Sequence, residues 1–232
     1  MPIIAIVVFA LFLAVPSPVE AQQTSGGGYF AIGTVELKVD ALNDPLGGAG
    51  FPEVASSAIS LGGGGHGVRG RVLVGGEGHG FITSVETTDD GATGLRFGGG
   101  YGLFNLGWEV FHRDRLTIFP KAGFGGGGYM LQIGPRDVPL FQDVLDNPER
   151  GVSLSHGGLL MSLGIRTELA LGERPARNQP RRGAVLGLEV AALRGIGNWQ
   201  WNTEWGEVTR GPELPFDGVH LRVTIGGGRG RR

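Results

Sequence analysis

Three segments near the end of the chain alternate strictly in polarity, and this period of two is the strongest constraint on the fold. In Ser155–Leu171, Leu159, Met161, Leu163, Ile165, Thr167 and Leu169 take one parity. Leu160, Ser162, Gly164, Arg166 and Glu168 take the other. Gly183–Arg194 repeats the pattern, with Leu186, Leu188, Val190 and Ala192 against Gly187, Glu189 and Ala191. In Asp217–Gly227, Val219, Leu221, Val223 and Ile225 oppose His220, Arg222 and Thr224. Successive strand residues point to opposite faces, so such segments read as strands with one apolar and one polar face.

Five earlier segments extend the series: Gly27–Ala41, Ser57–Gly67, Arg71–Glu86, Gly94–Val110 and Arg115–Ile133. In the first, Val35, Leu37 and Val39 alternate with Thr34, Glu36, Lys38 and Asp40. In Gly94–Val110 the apolar parity shifts between Leu103 and Phe104, which predicts a β-bulge near Leu103. Arg115–Ile133 alternates poorly. Glycine supplies 46 of 232 residues, against the usual ~7%. Interleaved with Val, Leu, Ile and Phe, these glycines read as strand residues that permit curvature and close backbone approach in a small barrel.

The connections carry further information. Leu42–Ser56, Gly134–Leu154 and Gly195–Phe216 are long, whereas Val68–Gly70 and Phe111–Asp114 are tight. Thr87–Thr93 is intermediate, and Gly172–Arg182 breaks the trend. Long odd and short even connections are the asymmetry of transmembrane β-barrels, and an even strand count puts both termini at the short-turn end. The expected fold is therefore all-β, an antiparallel up-and-down barrel of about eight strands. A short helix is expected in the Gly134–Leu154 loop, capped by Asp137, begun by Pro139, striped by Leu140, Phe141, Val144 and Leu145, and ended by Asn147-Pro148.

The chain opens with an apolar run, Ile3–Val15, broken by Pro16, Ser17 and Pro18 and followed by Val19-Glu20-Ala21. A run of this length suits a signal-peptide core and is too short for a membrane-spanning helix of ~20 residues. Residues 1–21 are thus expected to be a leader cleaved after Ala21, leaving 22–232 as one barrel domain. With no cysteine, the mature chain has neither disulfides nor thiolate metal sites. The formal charge of −2 gives no reason to expect nucleic acid as a partner.

Charged residues on the less apolar parity are expected to form a paired network inside the barrel: Glu36, Lys38, Arg71, Glu77, His79, Arg96, Arg166, Glu168, Glu189, His220 and Arg222. Trp199, Trp201 and Trp205 of the last loop suit a ligand platform, an interfacial anchor or simple loop packing. Arg174, Arg177, Arg181 and Arg182 read as a solvated connector or a contact for anionic headgroups.

No catalytic arrangement stands out. Gly62–Gly65 and Gly123–Gly128 lack the Lys-Ser or Lys-Thr of a phosphate loop. The five histidines form no His-x-His or HExxH pair. Glu77 and His79 share a strand face and suit a hydrogen-bonded interior. Ser155 and His156 are adjacent and face opposite ways, so they cannot pair within one strand. No cofactor is expected.

The general plan resembles the small eight-stranded outer-membrane barrels over the whole mature chain. GYGLFNLGWEVFHRDRLTIFPKAGFGGGGYM at Gly100–Met130 and GPELPFDGVHLRVTIGGG at Gly211–Gly228 resemble segments of glycine-rich, uncharacterised exported prokaryotic proteins. The resemblance implies a fold and a compartment, and no activity. The expected function is a non-enzymatic structural or interaction barrel of the cell envelope. Its partners would be membrane lipid and envelope proteins met through the long loops, with self-association as a further expectation. A soluble exported barrel holding a small hydrophobic ligand, and a self-associating surface protein, are the alternatives.

Overall fold

Alternation becomes a closed ring. The structure is a computed structural model that describes residues 24–83, 85–136, 145–146, 151–171 and 182–229. The expected leader, residues 137–144 and 147–148 of the expected helix, and Arg174, Arg177 and Arg181 lie outside the described residues. Leu145 and Asp146 have helical backbone.

Eight long strands make the wall: β1 (Thr24–Glu36), β2 (Ser57–Arg69), β3 (Val72–Ile82), β5 (Thr93–Trp108), β7 (Leu116–Pro135), β8 (Val152–Ala170), β9 (Arg182–Ile196) and β12 (Gly218–Arg229). Short strands β4 (Glu86–Thr87), β6 (Phe111–Arg113), β10 (Trp201–Thr203) and β11 (Gly206–Val208) extend it at the ends. Each long strand pairs antiparallel with the next, and β12 returns to β1. No long edge is left open, which removes the template for strand addition.

The register fixes the geometry. Following paired residues once round from Arg229, through Gly26, Gly67, Val74, Leu106, Ala122, Leu163 and Ala192, leads back to β12 at Val219. The walk ends ten residues from its start, Arg229 to Val219. Eight strands with this stagger tilt by roughly 35–45° and leave an interior just wide enough for side chains. The β5–β7 register runs unbroken from Thr93 to Gly107, so the expected bulge near Leu103 is absent. Leu95, Phe97, Tyr101, Leu103 and Asn105 all point inward, and Phe104, Leu106 and Trp108 outward. The apparent parity shift arises because the inner face is apolar near the loops and the outer face is apolar lower down.

The three longest connections gather at one end. Both described termini lie at the other, with the tight turns. At the loop end, helix α1 (Asp40–Gly48) lays Leu42 and Leu46 over the barrel mouth. The Asn43 side chain clasps the returning chain through both backbone groups of Val54, at 3.0 and 2.8 Å. Beneath the helix, Phe81, Phe97, Tyr129 and Phe216 form an aromatic plug, with Tyr129 stacked on Phe216 at 4.6 Å and on Phe97 at 5.1 Å.

Many wall glycines face inward opposite a large side chain. A Cβ at Gly62 would run into the His79 ring and the Gly78 carbonyl, and one at Gly33 into Arg222. Gly28, by contrast, faces open space apart from the Gly64 carbonyl at 3.7 Å. We predict that Gly62→Ala lowers unfolding stability by about 1–3 kcal/mol, as overpacking does, while Gly28→Ala leaves it nearly unchanged. Urea titration followed by heat-sensitive gel mobility distinguishes the two.

Candidate functional site

The chemistry of this chain lies inside the barrel, below the aromatic plug. On three successive strands, Arg166 (β8), Glu189 (β9) and Arg222 (β12) are direct cross-strand partners. Opposite charges side by side on one face of a sheet attract. Glu189 accepts from Lys121 Nζ at 2.9 Å, Arg222 Nη2 at 3.0 Å and Arg166 Nη1 at 3.4 Å. His220 Nε2 lies 3.2 Å from the same carboxylate.

A second carboxylate completes the layer. Glu77 accepts from Lys121 Nζ at 2.9 Å, from the Tyr29 hydroxyl at 3.1 Å and from Arg222 Nη2 at 3.4 Å. Lys121 thus bridges Glu77 and Glu189. The Arg222 guanidinium also contacts the Nε2 atoms of His79 and His220. Towards the turn end, Arg166 donates from Nε to Glu168 at 2.7 Å and from Nη2 to Thr224 at 3.3 Å, and lies 3.9 Å over the Tyr29 ring. Glu168 also meets His66 at 3.4 Å.

Within this network the carboxylates Glu77, Glu168 and Glu189 match the cations Lys121, Arg166 and Arg222 one for one. An unpaired buried charge is far costlier than a paired one, and the matched set avoids it. A cavity of about 120 Å³ opens below, at the turn end, where His66, Glu109, Arg115, Arg166 and Glu168 line its wall.

Seven of the eleven residues expected in the interior network lie there: Glu77, His79, Arg166, Glu168, Glu189, His220 and Arg222. The other four require correction. Glu36, Lys38, Arg71 and Arg96 are all exposed. At the rims, the parity that faces inward is the apolar one. Val35, Leu37 and Val39 fill the mouth, so Glu36 and Lys38 turn outward, and Lys38 reaches Asp217 at 3.7 Å. Arg96 lies between the buried Leu95 and Phe97 and faces out for the same reason. Arg71 sits in the tight turn between β2 and β3.

Lys121, Tyr29 and His66 join the network from outside the expected set, and Thr224, on the polar parity of β12, joins it through Arg166. Lys121 is one of only two lysines in the chain and stands mid-strand among Pro120, Ala122 and Gly123. That placement was the available signal.

The three tryptophans separate. Trp201 is buried against His156 at 4.7 Å and donates to the Pro212 carbonyl. Trp199 packs on His156 at 5.6 Å and donates to the Ile196 carbonyl. His156 itself is tied to the Leu214 carbonyl at 2.9 Å. Both rings therefore serve loop packing. Trp205, at the β10–β11 hairpin tip, is 94% exposed.

No protein-family model and no curated protein sequence matches the chain. Among solved structures, Ail, the attachment invasion locus protein of Yersinia pestis, overlaps 90% of this chain and 99% of its own, at 9% identity and a TM-score of 0.45. The outer membrane protease OmpT of Escherichia coli overlaps 94% of this chain and 99% of its own, at 9% identity and a TM-score of 0.37. The outer membrane protein AlkL overlaps 94% of this chain and 96% of its own, at 11% identity and a TM-score of 0.31.

Glu189→Gln leaves Lys121, Arg166 and Arg222 one carboxylate short. The expected cost is about 3–5 kcal/mol, read as a lower urea midpoint of the folded barrel. The double variant Glu189→Gln with Arg166→Gln restores the balance and is expected to cost less than the two single changes added together. Trp201→Ala is expected to cost about 3–5 kcal/mol, and Trp205→Ala close to nothing in the same titration.

Proposed function

We propose that this barrel is an integral outer-membrane-type protein of the cell envelope. In this reading its strands cross the bilayer and its long-loop end meets partners. One observation carries the proposal: a continuous apolar belt covers the outside of a barrel whose inside is charged. Every long strand contributes, including Ile32, Ile59, Val74, Leu106, Phe124, Leu163, Leu188 and Val223, all exposed. Leu163 is 67% exposed and Ile59 65%. Water-facing surfaces rarely carry contiguous apolar patches beyond a few hundred Å², whereas transmembrane barrels present such a band to lipid. The long strands run from 11 to 20 residues, enough for the ~9–11 needed to cross a bilayer.

The polarity speaks against the soluble ligand-binding alternative. A barrel that holds a hydrophobic molecule in water needs a polar exterior, whereas this one is apolar outside and charged inside at mid-barrel, and the apolar part of its interior, at the loop end, is filled by its own side chains. Ring closure likewise speaks against assembly through long strand edges.

A non-enzymatic role is part of the same proposal. It is supported by the engagement of the interior carboxylates and cations with one another beneath the aromatic plug, an arrangement suited to a packed core. Among the described residues at the loop end, the hairpin carrying Trp205 is exposed and open to a partner.

Leu163→Arg places a charge on the belt near mid-strand. It is expected to destabilise the inserted barrel by about 2–4 kcal/mol, whereas Trp205→Arg at the loop tip leaves it unchanged. Refolding yield into phosphatidylcholine bilayers reads the difference. Equal yields for both variants would contradict the membrane reading.

A further inference from the structure

The formal charge of −2 conceals a strong polarity along the barrel axis. Among the residues whose side chains are described, the turn-end rim outside the interior network carries Arg69, Arg71, Arg113 and Arg115 against Glu109 and Asp114. The loop end is the reverse. There, Lys38, Arg96, Arg136, Arg194 and Arg210 face twelve carboxylates: four in 36–53, three in 86–90, one at 146 and four in 204–217. The interior network between them is balanced.

Two turns of the same design build the basic rim. Arg69-Gly70-Arg71 joins β2 to β3, and Arg113-Asp114-Arg115 joins β6 to β7. Each places an arginine on either side of a residue with positive φ, +61° at Gly70 and +52° at Asp114. The chain reverses there within two residues, since Arg69 pairs with Val72 and Arg113 with Leu116. The two segments adjoin: the Glu109 N–H donates to the Arg71 carbonyl at 2.7 Å. Arg71, Arg113 and Arg115 are exposed.

What adjoins this rim identifies its partner. Trp108, Val110 and Phe111 precede Arg113, at 51%, 60% and 42% exposure, and Val72 and Val74 follow Arg71. The guanidinium groups therefore border the lower edge of the apolar belt, with aromatic rings at the same level. Aromatic residues favour the membrane interface, and arginines there extend towards the headgroups. A soluble polyanion would require no such apolar border.

We propose that the turn-end rim binds anionic phospholipid headgroups, selecting phosphatidylglycerol over zwitterionic lipid in the leaflet that surrounds it. This rests on the membrane reading above. Arg71, Arg113 and Arg115 supply the charge, and the two tight turns hold it at headgroup depth.

The test uses the mature chain inserted in phosphatidylcholine bilayers that contain spin-labelled phosphatidylglycerol or spin-labelled phosphatidylcholine. Electron spin resonance reads the fraction of each label immobilised by the barrel. The expected result is a preference for phosphatidylglycerol of up to about fivefold for each arginine near the surface, the ratio that ~1 kcal/mol corresponds to. The preference should vanish in 1 M salt, where the screening length falls to ~3 Å. It should also vanish in Arg71→Gln/Arg113→Gln/Arg115→Gln, provided that variant keeps the heat-shifted mobility of the parent. If the variant does not fold, the salt titration of the parent decides.

Equal immobilisation of both lipids by a correctly inserted barrel overturns the proposal. So does a preference that persists in the folded triple variant or in high salt. Salt-sensitive binding of soluble polyphosphate without lipid selectivity also overturns it and points to a periplasmic polyanion. A chain that inserts in neither bilayer overturns the membrane reading itself, and this inference with it.

Discussion

The charge row Arg166–Glu189–Arg222 is the interaction on which the rest of the barrel depends. A strand that slips by one residue turns every side chain to the opposite face. For β9 such a slip would send Glu189 into the apolar belt and bring Leu188 or Val190 against two arginines. An ionised group at the centre of a hydrocarbon layer is costly, so the incorrect register is strongly disfavoured. Buried ion pairs often contribute little net stability compared with well-packed apolar residues. Here their value lies in specifying one register around the ring, and Lys121, bridging Glu77 and Glu189, extends that specification across the lumen to β3 and β7.

Glycine makes this layer sterically feasible. An eight-stranded ring has little interior volume, yet it holds two guanidinium groups, a lysine, three carboxylates and the rings of His79 and His220. Room comes from the facing positions: Gly33 opposite Arg222, Gly62 opposite His79 and Gly187 beside Thr224. These inward glycines are therefore a packing requirement of a charged, narrow interior. The plug of Phe81, Phe97, Tyr129 and Phe216, roofed by α1, fills the loop end, and among the described residues a cavity lies towards the turns.

Much of the fold was legible in the sequence. Eight strands and their order follow from alternation, apolar runs and turn spacing, with β7 the strand whose alternation is poor. Which parity faces inward was not legible, because it depends on depth. In mid-barrel the inward face is charged and the outward face apolar. At the loop rim the relation reverses, which is why Glu36, Lys38 and Arg96 point out while Glu77, Glu189 and Arg222 point in. The same reversal along β5 imitates a bulge at Leu103. Lys121 was hidden by β7, where the run from Gly125 to Gly128 removes the side chains that would have displayed alternation. Helix α1 was hidden by its composition, Pro45, Gly47 and Gly48, although Leu42 and Leu46 have the four-residue spacing of one helical face.

The central claim is that the apolar belt faces lipid and the charged network faces inward. Fractionation of cells expressing the full-length chain, with carbonate washing of the envelope, tests it most directly. The account predicts a protein that stays in the washed outer-membrane pellet and whose gel mobility changes on heating. A protein released by the wash, or found in the periplasm or medium with heat-independent mobility, would contradict it.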